Sequence, residues 1–193
     1  MQSSQFNFLI TQNVDGLHFK SGIPQNKDST SDVCVELHGS SFRTNCLDCG
    51  SKFKREDIQK IFHQRNPDFL KKYSHQVTYA ADADSILTDD IIAKFKMIEC
   101  PNCGSDRLKP DIVFFGDNVR GSVVDRCYEK VEESDLLLVL GSTMEVYSSF
   151  RFARRAHDLG IPIVSVNLGR TRADKLIDVK LECQLTDFVQ SFQ

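Results

Sequence analysis

Apolar residues fall into short runs and spaced stripes that alternate along the chain. Phe6-Asn-Phe-Leu-Ile10 reads as a buried strand close to Met1, and Val33 to Leu37 as a second, ending at His38-Gly39. Residues 21–32 between them are polar, carry Gly and Pro, and read as a loop. The pattern then loses its regularity. Arg55 to Gln64 places Ile58, Ile61 and Phe62 at helical spacing, Tyr79 to Asp90 is acidic and expected on the surface, and Ile91 to Phe95 starts a short helix or strand. From Pro110 onward strands and helices alternate. Ile112-Val-Phe-Phe115 is a strand, and Val123, Val124, Cys127, Tyr128 and Val131 share one helical face. Leu136 to Leu140 is a doubly buried strand, Val146 to Leu159 a helix with Phe150, Ala153 and Ala156 inward and Arg151, Arg154 and Arg155 outward. Gly160 caps that helix and Ile161 to Val166 is the next strand. Strand, helix, strand, helix, strand predicts an α/β fold with a parallel sheet and right-handed crossovers. Neither an internal repeat nor a low-complexity tract interrupts it.

Composition narrows the function. The 193 residues carry 24 Lys+Arg against 27 Asp+Glu, a formal charge of −3, which argues against a nucleic-acid partner and against an acidic tail. The longest aliphatic run, Leu136 to Leu140, is far short of a membrane span, so no membrane partner is expected. Ten glycines are present, none closer than five residues to the next, which excludes a G-x-G-x-x-G fingerprint within the chain. Gly116 and Gly121 have Walker spacing, but Ser122-Val123 follows where Lys-Ser/Thr is required. Seven cysteines, an odd count, follow an N-terminus with neither a basic nor an apolar leader region and without the Arg-rich amphipathic character of a transit peptide. A disulfide framework is disfavoured and a reducing compartment expected.

Four of the cysteines form two C-x-x-C pairs, Cys46/Cys49 and Cys100/Cys103, each followed by glycine. Thiolates are soft donors, and a two-residue gap lets one turn present both sulfurs to one ion. Four such ligands with no open position predict one structural zinc per chain, in a small module with an insertion between its knuckles. Unliganded cysteines or a redox dithiol are the alternatives. Cys34, Cys127 and Cys183 stand alone.

Ligands of open parallel sheets bind beyond the carboxyl ends of strands. Three such ends are polar here: Thr11-Gln-Asn-Val-Asp-Gly16, Gly141-Ser-Thr143 and Asn167-Leu-Gly169. Gly-Ser-Thr leading into a helix suits an anion or a ribose, and an Asn past a strand suits a ribose hydroxyl. Each alone is ordinary turn chemistry, but together they favour a nucleotide. His38, at a further strand end, is a candidate general base. His18, His63, His75 and His157 are read as structural.

These motifs, in this order, resemble the sirtuins, NAD-dependent protein deacylases: Thr11-Gln-Asn-Val-Asp-Gly-Leu-His18, Glu36-Leu-His-Gly39, the two knuckles, Lys109-Pro-Asp-Ile-Val-Phe-Phe-Gly-Asp117, Gly141-Ser-Thr143 and Asn167-Leu-Gly169. Phe-Phe-Gly-Asp-Asn-Val and Arg65-Asn-Pro-Asp68 look most like class II, the mitochondrial sirtuin-four type. The resemblance implies a partial Rossmann-like parallel sheet with helices on both faces (1–42 and 110–193) plus a small zinc-binding domain (43–109). It implies His38 as catalytic base, and Gln12, Asn13, Val14 and Asp15 around nicotinamide and ribose. Gly141, Ser142, Thr143, Asn167, Leu168 and Gly169 would hold the adenosine half, with Cys183 near adenine. Val113, Phe114, Phe115 and Gly116 would offer a strand edge to an acyl-lysine peptide, while Cys46, Cys49, Cys100 and Cys103 bind zinc.

The implied reaction turns acyl-lysine and NAD, a consumed co-substrate, into lysine, nicotinamide and O-acyl-ADP-ribose, with ADP-ribosyl transfer or lipoamide cleavage as related activities. Acyl-lysine proteins are the implied partners and the mitochondrial matrix the implied location. The family's Gly-Ala-Gly phosphate loop and flexible cofactor loop have no counterpart in this chain, and Asp117 replaces the commoner Glu. The chain is therefore expected to be N-terminally truncated, with weak or absent NAD cleavage. The competing expectation is a non-catalytic zinc-stabilised interaction module; an oxidoreductase is disfavoured because no glycine fingerprint is present.

Overall fold

The computed structural model describes residues 6–25, 31–79 and 85–191. Residues 26–30, in the expected loop, and 80–84, in the expected acidic stretch, lie outside them, as do 1–5 and 192–193. In chain order the elements are β1 (Leu9–Thr11), α1 (Leu17–Lys20), β2 (Cys34–Glu36), β3 (Gly39–Cys46), β4 (Lys52–Lys54), α2 (Arg55–Arg65) and α3 (Phe69–Tyr73). Next come β5 (Thr78–Tyr79), β6 (Ser85–Ile86), α4 (Asp89–Ile92), β7 (Leu108–Ile112), α5 (Gly121–Glu132) and β8 (Leu137–Leu140). The chain continues through α6 (Tyr147–Asp158), β9 (Ile163–Val166), β10 (Val179–Leu181) and α7 (Leu185–Gln190). It forms two units, Met1–Gly39 with Val113–Gln193, and Ser40–Ile112. The sequence reading placed these breaks after residues 42 and 109.

In the first unit every ladder among the described residues is parallel, as strand–helix alternation requires. β1 pairs with β2 in the register Leu9↔Cys34, Ile10↔Val35, Thr11↔Glu36. β9 lies between β8 and β10. The core is made by the stripes read from the sequence, Val124, Cys127 and Val131 of α5, Ala153 and Ala156 of α6 and Ile163 of β9, together with Phe152, Val35, Leu37, Met144 and Ala173, while Phe150, expected inward, is only partly buried against it. Tyr128 meets Phe152 edge-on, with ring centroids 5.3 Å apart. Each large apolar side chain buried there contributes about 1.5–3 kcal/mol relative to exposure. Burial pushes the thiols of Cys34 and Cys127 up to about 11, so both are packing residues and poor nucleophiles.

Two expected strands differ. Leu136 to Leu140 is not doubly buried: the strand begins at Leu137, and Leu140 is 45% exposed. β8 is the edge of its sheet, while the central β9 carries the buried Ile163, Ser165 and Val166. Ile112 to Phe115 is not a strand either, because β7 ends at Ile112. The chain turns instead: the Asp117 carboxylate accepts from the Phe114 N–H at 3.1 Å and the Asp117 N–H donates to the Phe114 carbonyl at 2.9 Å.

In the second unit β3 is the centre of an antiparallel pairing with β4, in the register Arg43↔Lys54 and Asn45↔Lys52, and it also neighbours β7. Pro110 is tolerated in β7 because that strand is an edge. Arg43 Nε and Asn45 Nδ2 donate to the two oxygens of Asp111 at 2.8 and 2.6 Å, tying β3 to β7. The expected helix over Arg55–Gln64 is α2, with Ile58 buried. Phe95 packs on Phe62 and Phe69, at centroid distances of 5.4 and 5.0 Å.

Candidate functional site

The β1–β2 ladder runs one step beyond its strands, with Leu37 N–H donating to the Thr11 carbonyl at 2.8 Å. Thr11 is buried, and its Oγ1 accepts from the Asn13 N–H at 3.1 Å, which starts the Gln12–Asp15 turn. Asp15 Oδ1 accepts from Leu17 N at 3.0 Å, closing that turn onto α1. Gln12 is aimed across the unit: its Nε2 donates to Ser142 Oγ at 2.8 Å. Two of the polar strand ends read from the sequence are thus in direct contact.

His38 is the second residue of the Leu37-His38 turn between β2 and β3 and is half-buried. Its carbonyl accepts from Val113 N at 3.0 Å, so the base candidate and the start of the 113–116 segment share a backbone bond. Its Nε2 lies 2.8 Å from Ser148 Oγ. Burial moves the imidazole below the ordinary histidine pKa, since the cation loses hydration, while a hydrogen bond with the Gln12 backbone acts the other way. The neutral ring is the form that can accept a proton. The sequence reading did not find Ser148; Tyr147-Ser-Ser-Phe150 carries no signal beyond a helix start.

Gly141 has φ +58, and a Cβ there would meet Leu185 Cδ1 at 2.7 Å. Its N–H donates to the Val166 carbonyl at 2.9 Å, placing the 141–143 turn beside the end of β9. Ser142 Oγ also accepts from Met144 N at 3.2 Å, and Met144 itself adopts φ 51, a left-handed conformation that costs a side-chain-bearing residue about 1–2 kcal/mol. The Thr143 carbonyl accepts from Arg172 N at 2.9 Å. Asn167 is buried at the end of β9, its Nδ2 donating to the Leu168 carbonyl at 2.9 Å. Leu168 is exposed.

Lys180 Nζ donates to the Gly169 carbonyl at 2.7 Å and pairs with Asp174, whose Oδ1 also takes the Thr171 hydroxyl at 2.6 Å. The Thr171 bond, with Lys180, holds Asp174 below the usual carboxylate range. Cys183 lies half-buried in the bend after β10. Phe115 is 93% exposed and Gly116 has φ +89, so the 113–116 segment presents itself to solvent as a turn.

In the second unit the four paired cysteines converge, their sulfurs all within 4.8 Å of one another. The closest approaches cross between the knuckles: Cys46 Sγ to Cys103 Sγ is 3.7 Å, and Cys49 Sγ to Cys100 Sγ 3.8 Å. A tetrahedron of thiolates about 2.3 Å from zinc has an edge of about 3.8 Å, so the set fits that ion. Cys46 and Cys100 are buried, Cys49 and Cys103 exposed. Each knuckle closes on its glycine, Gly50 N to the Cys46 carbonyl at 3.0 Å and Gly104 N to the Cys100 carbonyl at 2.9 Å. The Ser51 hydroxyl and backbone lower the Cys49 thiol to about 6, while at Cys103 the lowering bond with the Ser105 backbone is outweighed by the neighbouring sulfurs, which raise that thiol. Leu47 N–H donates to the Arg107 carbonyl at 2.9 Å and Arg107 pairs with Asp48 at 2.6 Å, bracing one knuckle against the other.

Residues 1–148 match the profile of the Sir2 family. A cattle protein named NAD-dependent protein lipoamidase sirtuin-4, mitochondrial, is 41% identical over 178 residues, covering 92% of this chain and 53% of the relative. The Caenorhabditis elegans NAD-dependent protein deacylase sir-2.2 is 39% identical over 188 residues, covering 97% and 62%. A solved structure of Sir2 with p53 peptide and NAD+ superposes with a TM-score of 0.65 at 27% identity, over 95% of this chain and 60% of that one. A Sir2 bound to acetylated peptide gives 0.66 at 26%, over 95% and 61%. The chain therefore spans little more than half the length of the relatives it matches.

Proposed function

The chain belongs to the Sir2 family, and from that premise we propose that it takes part in NAD-dependent removal of acyl groups from protein lysines. The observation that carries the reading is the grouping around His38: a half-buried imidazole of lowered pKa, joined through Gln12 to Ser142 and through its own carbonyl to the 113–116 segment. In this reaction the acyl oxygen attacks the anomeric carbon of the nicotinamide ribose as nicotinamide leaves. His38 acts as base on a ribose hydroxyl, which makes that oxygen a better nucleophile toward the acyl carbon. Lysine then leaves, and a water molecule from solvent adds at the acyl carbon and opens the cyclic adduct, giving O-acyl-ADP-ribose. Gln12, Asn13, Val14 and Asp15 border the nicotinamide ribose. Gly141, Ser142, Thr143, Asn167, Leu168 and Gly169 take the adenosine half, with Cys183 near adenine. Val113 to Gly116 receive the peptide. Units 1–42 with 110–193, and 43–109, are the nucleotide and zinc domains in this reading.

Cys46, Cys49, Cys100 and Cys103 hold one zinc, which supplies folding energy and no open position for chemistry. One relative is named a lipoamidase, and a solved Sir2 is bound to an acetylated peptide. Lipoyl-lysine and acetyl-lysine are accordingly the acyl groups proposed. The mitochondrial name of the cattle relative supports a mitochondrial location, and the matrix is the compartment proposed within it.

The test is nicotinamide release from NAD with acetyl- and lipoyl-lysine peptides, comparing the wild-type chain with His38→Ala. Release abolished by the substitution supports the reading. Equal release from both overturns the assignment of His38, and a folded, zinc-loaded wild type that releases none favours an interaction module.

A further inference from the structure

Ser148 is the second residue of α6 and lies 110 positions from His38 in sequence, yet its Oγ sits 2.8 Å from His38 Nε2. The contact is partly buried, so water competes for it weakly. The Gln12 backbone acts on the ring in the sense that favours its protonated form, as a carbonyl acceptor beside a ring N–H does. Burial and the Gln12 backbone are the influences that shift His38; no charged side chain is among them.

We propose that Ser148 is a positioning residue for the base. Its hydroxyl donates to Nε2 while the Gln12 carbonyl takes the ring N–H, which fixes the neutral tautomer with its lone pair on Nε2. This rests on the reading of His38 as the base. Before NAD binds, the Ser148 O–H stands where a substrate hydroxyl would approach, keeping the lone pair aimed and the ring in one rotamer. When the ribose hydroxyl arrives it replaces the Ser148 proton at Nε2. The proton that Nε2 then accepts comes from that ribose hydroxyl, and Ser148 neither gains nor loses one. The net worth of one such bond corresponds to about three- to tenfold in an equilibrium.

The experiment reads the tautomer directly, by nitrogen-15 chemical shifts of the His38 ring in the zinc-loaded full chain. Wild type is expected to show an unprotonated Nε2. Ser148→Ala is expected to shift the neutral ring toward the Nε2–H tautomer by about three- to tenfold, and Ser148→Thr to restore it. In nicotinamide release, Ser148→Ala should lower kcat/KM for NAD by a similar factor with a smaller effect on kcat, because the tautomer is set in the free protein. An Ala variant whose Nε2 stays as unprotonated as in wild type overturns the proposal, as does a Thr variant that behaves like Ala while keeping its fold. Release that survives His38→Ala would sink the base assignment alone, since the ring shifts are read without turnover.

Discussion

Leu185 closes over Gly141 so tightly that a methyl group on the glycine would sit 2.7 Å from the leucine Cδ1. The glycine is also held at φ +58. Two separate costs therefore meet at one residue, a backbone cost and a side-chain clash, and the clash alone can relax because Leu185 is the flexible partner. Gly141→Ala is expected to destabilise by about 1–2 kcal/mol from the left-handed backbone alone. Urea denaturation followed by circular dichroism checks it. An unchanged midpoint would show that the 141–143 turn has another conformation available.

The lowered pKa of His38 sets a sign for pH. Burial favours the neutral imidazole, so the base stays competent at pH values where an exposed histidine is already charged. The acid limb of kcat/KM for nicotinamide release should therefore fall below the ordinary histidine value of about 6.5. Stability follows the same linkage. The unfolded chain takes up a proton at this site more readily than the folded one, so His38 destabilises the fold as pH falls through the ordinary value toward the depressed one. His38→Gln should flatten that part of a stability–pH curve; an unaltered slope would contradict the burial account.

Removing zinc is expected to unfold the second unit and leave the first. The core of the first unit contains none of the four cysteines. Dialysis against a chelator, followed by hydrogen exchange, should show lost protection in residues 40–112 and retained protection in α5, α6 and β9. One zinc per chain should be measured beforehand, and Cys46→Ser should lower that figure. Uniform loss of protection would mean that the units fold as one.

Asp174 ties three groups together, through the Thr171 hydroxyl, Lys180 Nζ and, by way of Lys180, the Gly169 carbonyl. Asp174→Ala is expected to free the 167–169 turn and raise KM for NAD several-fold while kcat changes less, because the network touches the proposed adenosine half and not His38. Initial rates at varied NAD decide it. A fall confined to kcat would place the network elsewhere in the reaction.

Much of this was legible in the sequence, for reasons that differ by element. α5 and α6 announce themselves because their buried residues recur at helical spacing, and the knuckles because C-x-x-C-G fixes both ligand and turn. β7 was misplaced because Val113, Phe114 and Phe115 look like strand residues by type. What stops the strand is the Asp117 carboxylate capping the Phe114 N–H, a local bond that hydrophobic pattern does not report. The burial of Leu136 to Leu140 was overread for a related cause: an aliphatic run does not say which strand is central, and here β9 is. Ser148 was invisible because its meaning lies in a contact across 110 residues, and serine at a helix start is ordinary.

The crossed pairing of the knuckles has a consequence for the length of the chain between them. Cys46 approaches Cys103 and Cys49 approaches Cys100, so one bound ion staples shut an excursion whose inner span is the 50 residues from Gly50 to Glu99. If the staple acts as a covalent cross-link would, it removes about 4 kcal/mol of disorder from the unfolded chain. That quantity grows only with the logarithm of the span, so doubling the excursion would change it by about 0.6 kcal/mol. The stretch between the knuckles is thus thermodynamically insulated: segments can be gained or lost there at little cost to closure, which makes it the natural place for lengthening or shortening without dismantling the site.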